Sequence, residues 1–299
     1  MLKIAFSPIY MHKLPENHRF PMEKYELIPQ QLLHEGLVEK DSFFSPNVAK
    51  DFWIEKAHDK EYISKLNHLT LSKSEIRKTG FPLSKELVNR EYIITQGTLD
   101  CVDFAIKYGA SANIAGGTHH AFRDRGEGFC LFNDVAIGSY YALEKYQMQS
   151  ILILDLDVHQ GNGTASILKD NDKVFTFSMH GEKNYPFHKE NSNLDIPVKD
   201  GINGKEYLKK LKENLDFLSE ELSPDIIFYI SGVDILDTDK LGRLAVKRED
   251  CKKRDEMVFE FSKKCKAPIV IVMGGGYSEK IYDIVEAHCN TFKSMLSLF

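Results

Sequence analysis

At 299 residues the chain can bury a large core, and its 42% hydrophobic and 28% charged content is that of an ordinary globular protein. A net charge of −5 and a pI near 6.1 leave no basic field to hold nucleic acid or an anionic membrane surface. Five cysteines without a Cys-x-x-Cys pair point to a reducing, cytoplasmic compartment, and no apolar run approaches the ~18 residues that span a bilayer.

The first ten residues lack the basic start and apolar stretch of a signal peptide. Residues 2–7 read as a first strand. A helical pattern follows over 89–108, then a strand over 111–115 and a helix over 134–146. The clearest strand is 151–158, with another at 174–178. A helix over 204–222 ends at the breaker Ser223-Pro224, after which 226–230 reads as a strand. A helix over 248–264 precedes Pro268 and a last strand over 269–273. No repeat or Pro/Gly/Ser-rich linker divides the chain, so one domain over residues 1–299 is expected. Apolar strands alternating with amphipathic helices predict an α/β fold of three layers, with a central, mostly parallel sheet between helices.

Such sheets bind ligands beyond the carboxyl ends of their strands. Four of these ends carry chemistry. The 111–115 run ends in Gly-Gly-Thr-His-His (116–120), and the 151–158 run in Asp-Leu-Asp-Val-His-Gln-Gly-Asn-Gly (155–163). The 226–230 run ends in Ser-Gly-Val-Asp (231–234), and the 269–273 run in Gly-Gly-Gly-Tyr (274–277). Strand alternation puts Asp155, Asp157 and His159 on one face. Two carboxylates buried side by side cost several kcal/mol per ion unless a cation compensates. With an imidazole in the same row, a divalent cation is the economical reading. Asp157, His159 and Asp234 make three ligands with an open position, the pattern of a catalytic site. Two oxygens and one nitrogen suit Zn²⁺, and Fe²⁺ or Co²⁺ also fit. Asp155, one pleat deeper, is expected to orient a histidine or help bind a monovalent cation. His119 and His120 can move a proton between water and a leaving amine, and Tyr277 can offer a hydroxyl to a developing oxyanion.

These motifs, with Gly-Phe-Cys-Leu-Phe-Asn-Asp (128–134) between the first two, stand in the order found in the histone deacetylases. The chain resembles that family, which has the arginase/deacetylase fold, over nearly its whole length and most strongly over 113–277. The run Ser-Gly-Val-Asp-Ile-Leu-Asp-Thr-Asp-Lys-Leu-Gly (231–242) and Gln160 look most like the class IV, histone deacetylase 11-like branch and bacterial relatives. The resemblance implies Zn²⁺ on Asp157, His159 and Asp234, His120 as proton shuttle with His119 as electrostatic partner, and Tyr277 at the oxyanion. It implies Gly128, Phe129, Gly275 and Gly276 along an acyl-lysine tunnel whose opposite wall falls near Tyr185-Pro186. It also implies a structural K⁺ with Asp155, Asp157, His159 and Ser178. Two departures stand out. Asn162 replaces an Asp of class I members behind the second histidine, and no acidic residue between Ser72 and Ser84 matches the one that grips substrate backbone in some members.

The expected activity is hydrolysis of N-acyl-lysine on protein or peptide, acetyl or longer. The alternative is an acetylpolyamine or other small acylated amine. Ureohydrolases share the fold but need a second set of carboxylates. A non-catalytic acyl-lysine binder would be expected to have lost a ligand, the histidine pair or the tyrosine. Neither nucleic acid nor membrane is an expected partner. His18 is placed near the site rim or at the surface, and His180 and His188 in loops.

Overall fold

The computed structural model describes residues 2–299. Its eight-stranded sheet comprises β1 (Lys3–Ala5), β2 (Phe43–Phe44), β3 (Ala110–Asn113), β4 (Ile151–Asp155), β5 (Val174–Gly181), β6 (Leu194–Val198), β7 (Ile226–Ile230) and β8 (Ile269–Val272). The order is β2-β1-β3-β8-β7-β4-β5-β6, and every pairing is parallel. The sheet is thus parallel throughout, where a mostly parallel one was expected. Parallel strands need long crossovers, and here helices supply most of them. The helices are α1 (Lys24–His34), α2 (Asp51–Ala57), α3 (Lys60–Asn67), α4 (Lys73–Thr79), α5 (Lys85–Tyr108), α6 (Asp134–Lys145), α7 (Asn162–Leu168), α8 (Gly204–Glu221), α9 (Arg248–Cys265) and α10 (Ile281–Leu298). None is long and apolar enough to cross a membrane.

Strand alternation on β7 shows how the layers form. Phe228 meets Gly138 of α6, while its neighbour Tyr229 packs edge-on against Phe259 of α9, so α6 and α9 cover opposite faces. Around them α2, α5, α6 and α7 pack as one layer and α1, α8, α9 and α10 as the other. The four strands expected to carry chemistry, β3, β8, β7 and β4, are contiguous at the centre of the sheet. Their carboxyl ends therefore meet at one edge.

Four helices match the expected ones, and α5 starts four residues early because the Ser84 side chain caps it by accepting from the Leu87 N–H at 3.1 Å. Two strands and six helices lie outside the expected set. β2 is two residues long, and β6 is a half-buried edge strand containing Pro197. Inside α1 stands Pro29, a residue that argues against a helix, and α2, α3, α4 and α7 are one or two turns each. Buried His180 lies within β5 and not in a loop.

Candidate active site and metal centre

After β3 the chain turns through Gly116 and Gly117, with φ of +79° and +71°. A Cβ on Gly117 would stand 2.7 Å from the Gly274 nitrogen, so no side chain fits there. Asp134, opening α6, pins this turn. Its Oδ1 accepts from the Thr118 N–H and hydroxyl at 2.9 and 2.7 Å, and its Oδ2 from Gly117 N at 3.2 Å. The Gly-Gly-Thr and Asn-Asp motifs hold one another, and His119 and His120 are delivered to the sheet edge.

β4 ends at Asp155, three residues before the expected end, so strand alternation is not what gathers its acidic row. Side-chain carboxylates bind the N–H groups that leave the ladder. Asp155 Oδ1 accepts from Asp157 N, Asp157 Oδ1 from His159 N and Asp234 Oδ1 from Val158 N, at 3.1, 2.9 and 2.9 Å. Asp157 Oδ2 accepts from Gly275 N at 2.7 Å. The resulting turn still converges the three expected ligands. His159 Nδ1 lies 3.0 Å from Asp157 Oδ1 and 3.1 Å from Asp234 Oδ2, and one ligand atom from each residue falls within 4.8 Å of the others.

The charges of this trio fit a cation. Burial opposes a charge on His159, yet Asp157 and Asp234 hold it at about 10, so the two carboxylates demand positive charge at their centre. Burial and the Asp157 charge together push Asp234 up to about 7. Burial alone would raise Asp157, but His119 and His159 keep it well below the usual carboxylate range. A divalent ion meets the same demand without a proton.

The histidines differ in their partners. His119 Nδ1 lies 2.7 Å from Asp155 Oδ2; burial disfavours its charge, but Asp155 and Asp157 outweigh this and hold it at about 9. His120 Nδ1 lies 2.7 Å from the Asn162 amide oxygen, which only accepts, so Nδ1 carries the proton and Nε2 the lone pair. Burial, then the charges of His119 and His159, push His120 well below the ordinary histidine value. A carboxylate at 162 would counter this. Asn162→Asp should therefore move the acid limb of kcat/KM to higher pH, because His120 would become protonated, and useless as a base, earlier on acidification. A pH–rate profile with an unmoved acid limb would exclude the coupling.

Tyr277 is buried against Phe20 and Phe129, with ring centroids 6.0 Å away in each case. Burial, then the Asp157 and Asp234 charges, raise its hydroxyl well above the ordinary tyrosine value, so it stays a donor. Its N–H donates to Asp239 Oδ2 at 2.6 Å, which fixes the backbone after the three glycines.

His120, His159 and Tyr277 line a cavity of about 340 Å³ together with Gly128, Phe129 and Tyr185. Phe129, at φ +68°, is clamped by His18, Phe20 and Phe81, with centroids at 6.1, 5.1 and 5.2 Å. His18 is thus a prop behind the wall: its Nδ1 accepts from Phe20 N and its Nε2 donates to the Gly80 carbonyl. Tyr185, of the dipeptide expected near the opposite wall, stands edge-on to His120 at 4.9 Å and donates to Glu127 Oε2. Gly275 presses on the ligand carboxylates: a Cβ there would lie 2.0 Å from Asp234 Oδ2. Gly276 was expected along the tunnel but lines neither this cavity nor the small one behind it. It faces Val233 and Ile284 because the chain has already turned towards α10.

Asp155 and Ser178 are register partners on β4 and β5. Both Asp155 oxygens already serve Asp157 N and His119, and Ser178 Oγ lies 3.0 Å from His180 Nδ1. The side-chain oxygens that the resemblance implies for a monovalent cation are therefore engaged within the protein. One residue had no signal in the sequence. Lys24 is fully buried in α1, donates to the Gly274 carbonyl at 3.1 Å, and is lowered to about 8 by burial against the pull of Asp234 and Asp157.

Residues 18–292 match a family model described as histone deacetylase domain. The chain is 38% identical over 285 residues to an uncharacterized protein of Picosynechococcus, with 95% of each covered. It is 31% identical over 270 residues to histone deacetylase 2 of Arabidopsis thaliana, covering 87% of this chain and 70% of that one. Its fold is similar to that of a solved HDAC homolog complexed with SAHA, at a TM-score of 0.87 and 24% identity, covering 100% of this chain and 84% of that one. The order of motifs, the parallel sheet and these matches agree: the chain belongs to the histone deacetylase family, whose members are hydrolytic deacetylases.

Proposed function

We propose that the chain is a zinc-dependent deacylase that cleaves the amide of N-acyl-lysine, acetyl or longer, on a protein or peptide. One juxtaposition carries the reading: His120, His159 and Tyr277 line one cavity of about 340 Å³ together with the aromatic side chains of Phe129 and Tyr185. Zinc suits the ligand set of Asp157, His159 and Asp234. When bound there it supplies Lewis-acid polarisation of the acyl carbonyl and a more acidic water. His120 takes the water proton on Nε2 while Asn162 holds the ring in place. Tyr277 donates its hydroxyl hydrogen to the oxyanion as the carbonyl carbon becomes tetrahedral. His120 then returns the proton to the leaving lysine amine. His119, kept charged by Asp155, favours the negative charge that develops beside it.

Among the described residues one cluster of three such ligands converges, which supports one divalent ion and not the pair a ureohydrolase needs. Cations at the cavity mouth, Arg19, Lys78, Lys183 and Arg243, would repel a polyamine tail. The class IV likeness extends the substrate range to longer acyl chains, and five free cysteines are consistent with a reducing, cytoplasmic setting.

A panel of acetyl- to myristoyl-lysine peptides and acetylpolyamines, assayed with and without chelator, tests this. Peptide hydrolysis should vanish on chelation and return with zinc. Turnover indifferent to chelator would sink the reading. Tyr277→Phe should lower kcat by about 10²–10³-fold, the usual effect of one lost oxyanion donor, with metal content unchanged. Full activity in that variant would remove Tyr277 from the reaction.

A further inference from the structure

The rim of the cavity carries a charge opposite to that of the whole molecule. The chain has a net charge of −5, yet the charged side chains lining the mouth are Arg19, Lys78, Lys183 and Arg243, with no carboxylate among the lining residues. All four are exposed. Arg243 makes only a 3.5 Å contact with Asp200, itself half-exposed. Arg19 lies over the Phe129 ring at 4.9 Å, and no carboxylate pairs with it or with the Lys78 and Lys183 amines among the described residues. Four cations gathered at one opening, with no carboxylate among the lining residues, form a local positive field.

The four come from separate segments: the loop before α1, helix α4, the loop after β5 and the loop after β7. Lys78 belongs to the segment that supports the tunnel wall, since the Lys78 and Thr79 carbonyls accept from Gly128 N and Phe129 N at 3.0 and 2.7 Å. Beyond them Phe187 is 83% exposed at the same mouth, an apolar surface for a chain lying across it.

We propose that the preferred substrate is an acyl-lysine set in an acidic peptide segment, with Asp or Glu on both sides of the lysine meeting these cations. The proposal rests on the deacylase reading above. A single small anion would be met by one or two cations; cations supplied by four segments fit a chain that crosses the opening with charge on either side.

Three peptides with the same acyl-lysine and flanks of Asp/Glu, Ser/Gly or Lys/Arg separate the two claims. Their kcat/KM values and their binding, by fluorescence anisotropy, are measured with the intact zinc-loaded protein at rising salt. The acidic peptide should exceed the basic one by about tenfold or more at low salt, the effect of ~1.4 kcal/mol. The ratio should shrink as salt shortens the screening length. Lys78→Glu and, independently, Arg243→Glu should each lower that ratio severalfold. Equal rates for all three peptides, or a preference for basic flanks, would overturn the proposal while leaving the deacylase reading intact. So would faster turnover of a small anionic acyl-amine than of the acidic peptide. Selective binding of the acidic peptide with no hydrolysis of any peptide would retain the docking surface and sink the deacylase reading.

Discussion

His120→Ala should lower kcat/KM for an acyl-lysine peptide by about 10²–10⁴-fold, the contribution expected of a positioned general base. The expectation follows from the ring's two nitrogens. Nδ1 is committed to Asn162 at 2.7 Å, and Nε2 makes no hydrogen bond among the described residues, in a side chain that lines the cavity with His159 and Tyr277. Burial and two neighbouring histidines keep the ring neutral near pH 7, the state a base requires. His119 is built otherwise. Its Nδ1 is held by Asp155, and it stays charged up to about 9, so it stabilises charge but is a poor proton acceptor. His119→Ala should cost less than His120→Ala at neutral pH, with zinc content retained in both. If the order were reversed, the two histidines would exchange roles.

The second large effect is on stability. Arg254 of α9 is fully buried beside Asp255. Its guanidinium donates to Asp255 Oδ1 through Nε and Nη2, at 2.9 and 2.7 Å, and to the carbonyls of Gly232 and Leu156 through Nη1. The same Asp255 accepts from Tyr229 and, at 2.7 Å, from Thr291, so the network joins β7, α9 and α10. Arg254→Met removes the cation and leaves a buried carboxylate unpaired, an effect of about 3–5 kcal/mol. The melting temperature should drop by about 5–8 °C. The carbonyls it releases lie in the loops that carry Asp157 and Asp234, so zinc affinity should fall as well. Adding Asp255→Asn should recover part of the stability, since no charge is then stranded. A variant as stable as the parent would mean that the carboxylate takes up a proton, which titration of the melting temperature against pH would expose.

The sequence alone carried the core of this structure. Apolar runs such as Ile-Leu-Ile-Leu (151–154), alternating with helical patterns, read as buried strands, and charged residues at their ends fall at the sheet edge, so the convergence of Asp157, His159 and Asp234 could be expected in advance. Local patterns fix such features because a strand's period and a buried charge are properties of a few neighbouring residues. Tertiary structure decided what depends on distant partners. It ended β4 at Asp155 and gathered the ligands through carboxylate-to-backbone hydrogen bonds instead of strand alternation. It buried Lys24, for which the sequence carried no signal. It placed Tyr185 and Phe129 along one cavity and left Gly276 outside that cavity's lining. It also assembled a cationic mouth from four segments of a chain whose overall charge is negative. Composition sums charge over the whole chain; only folding decides which charges stand together at one opening.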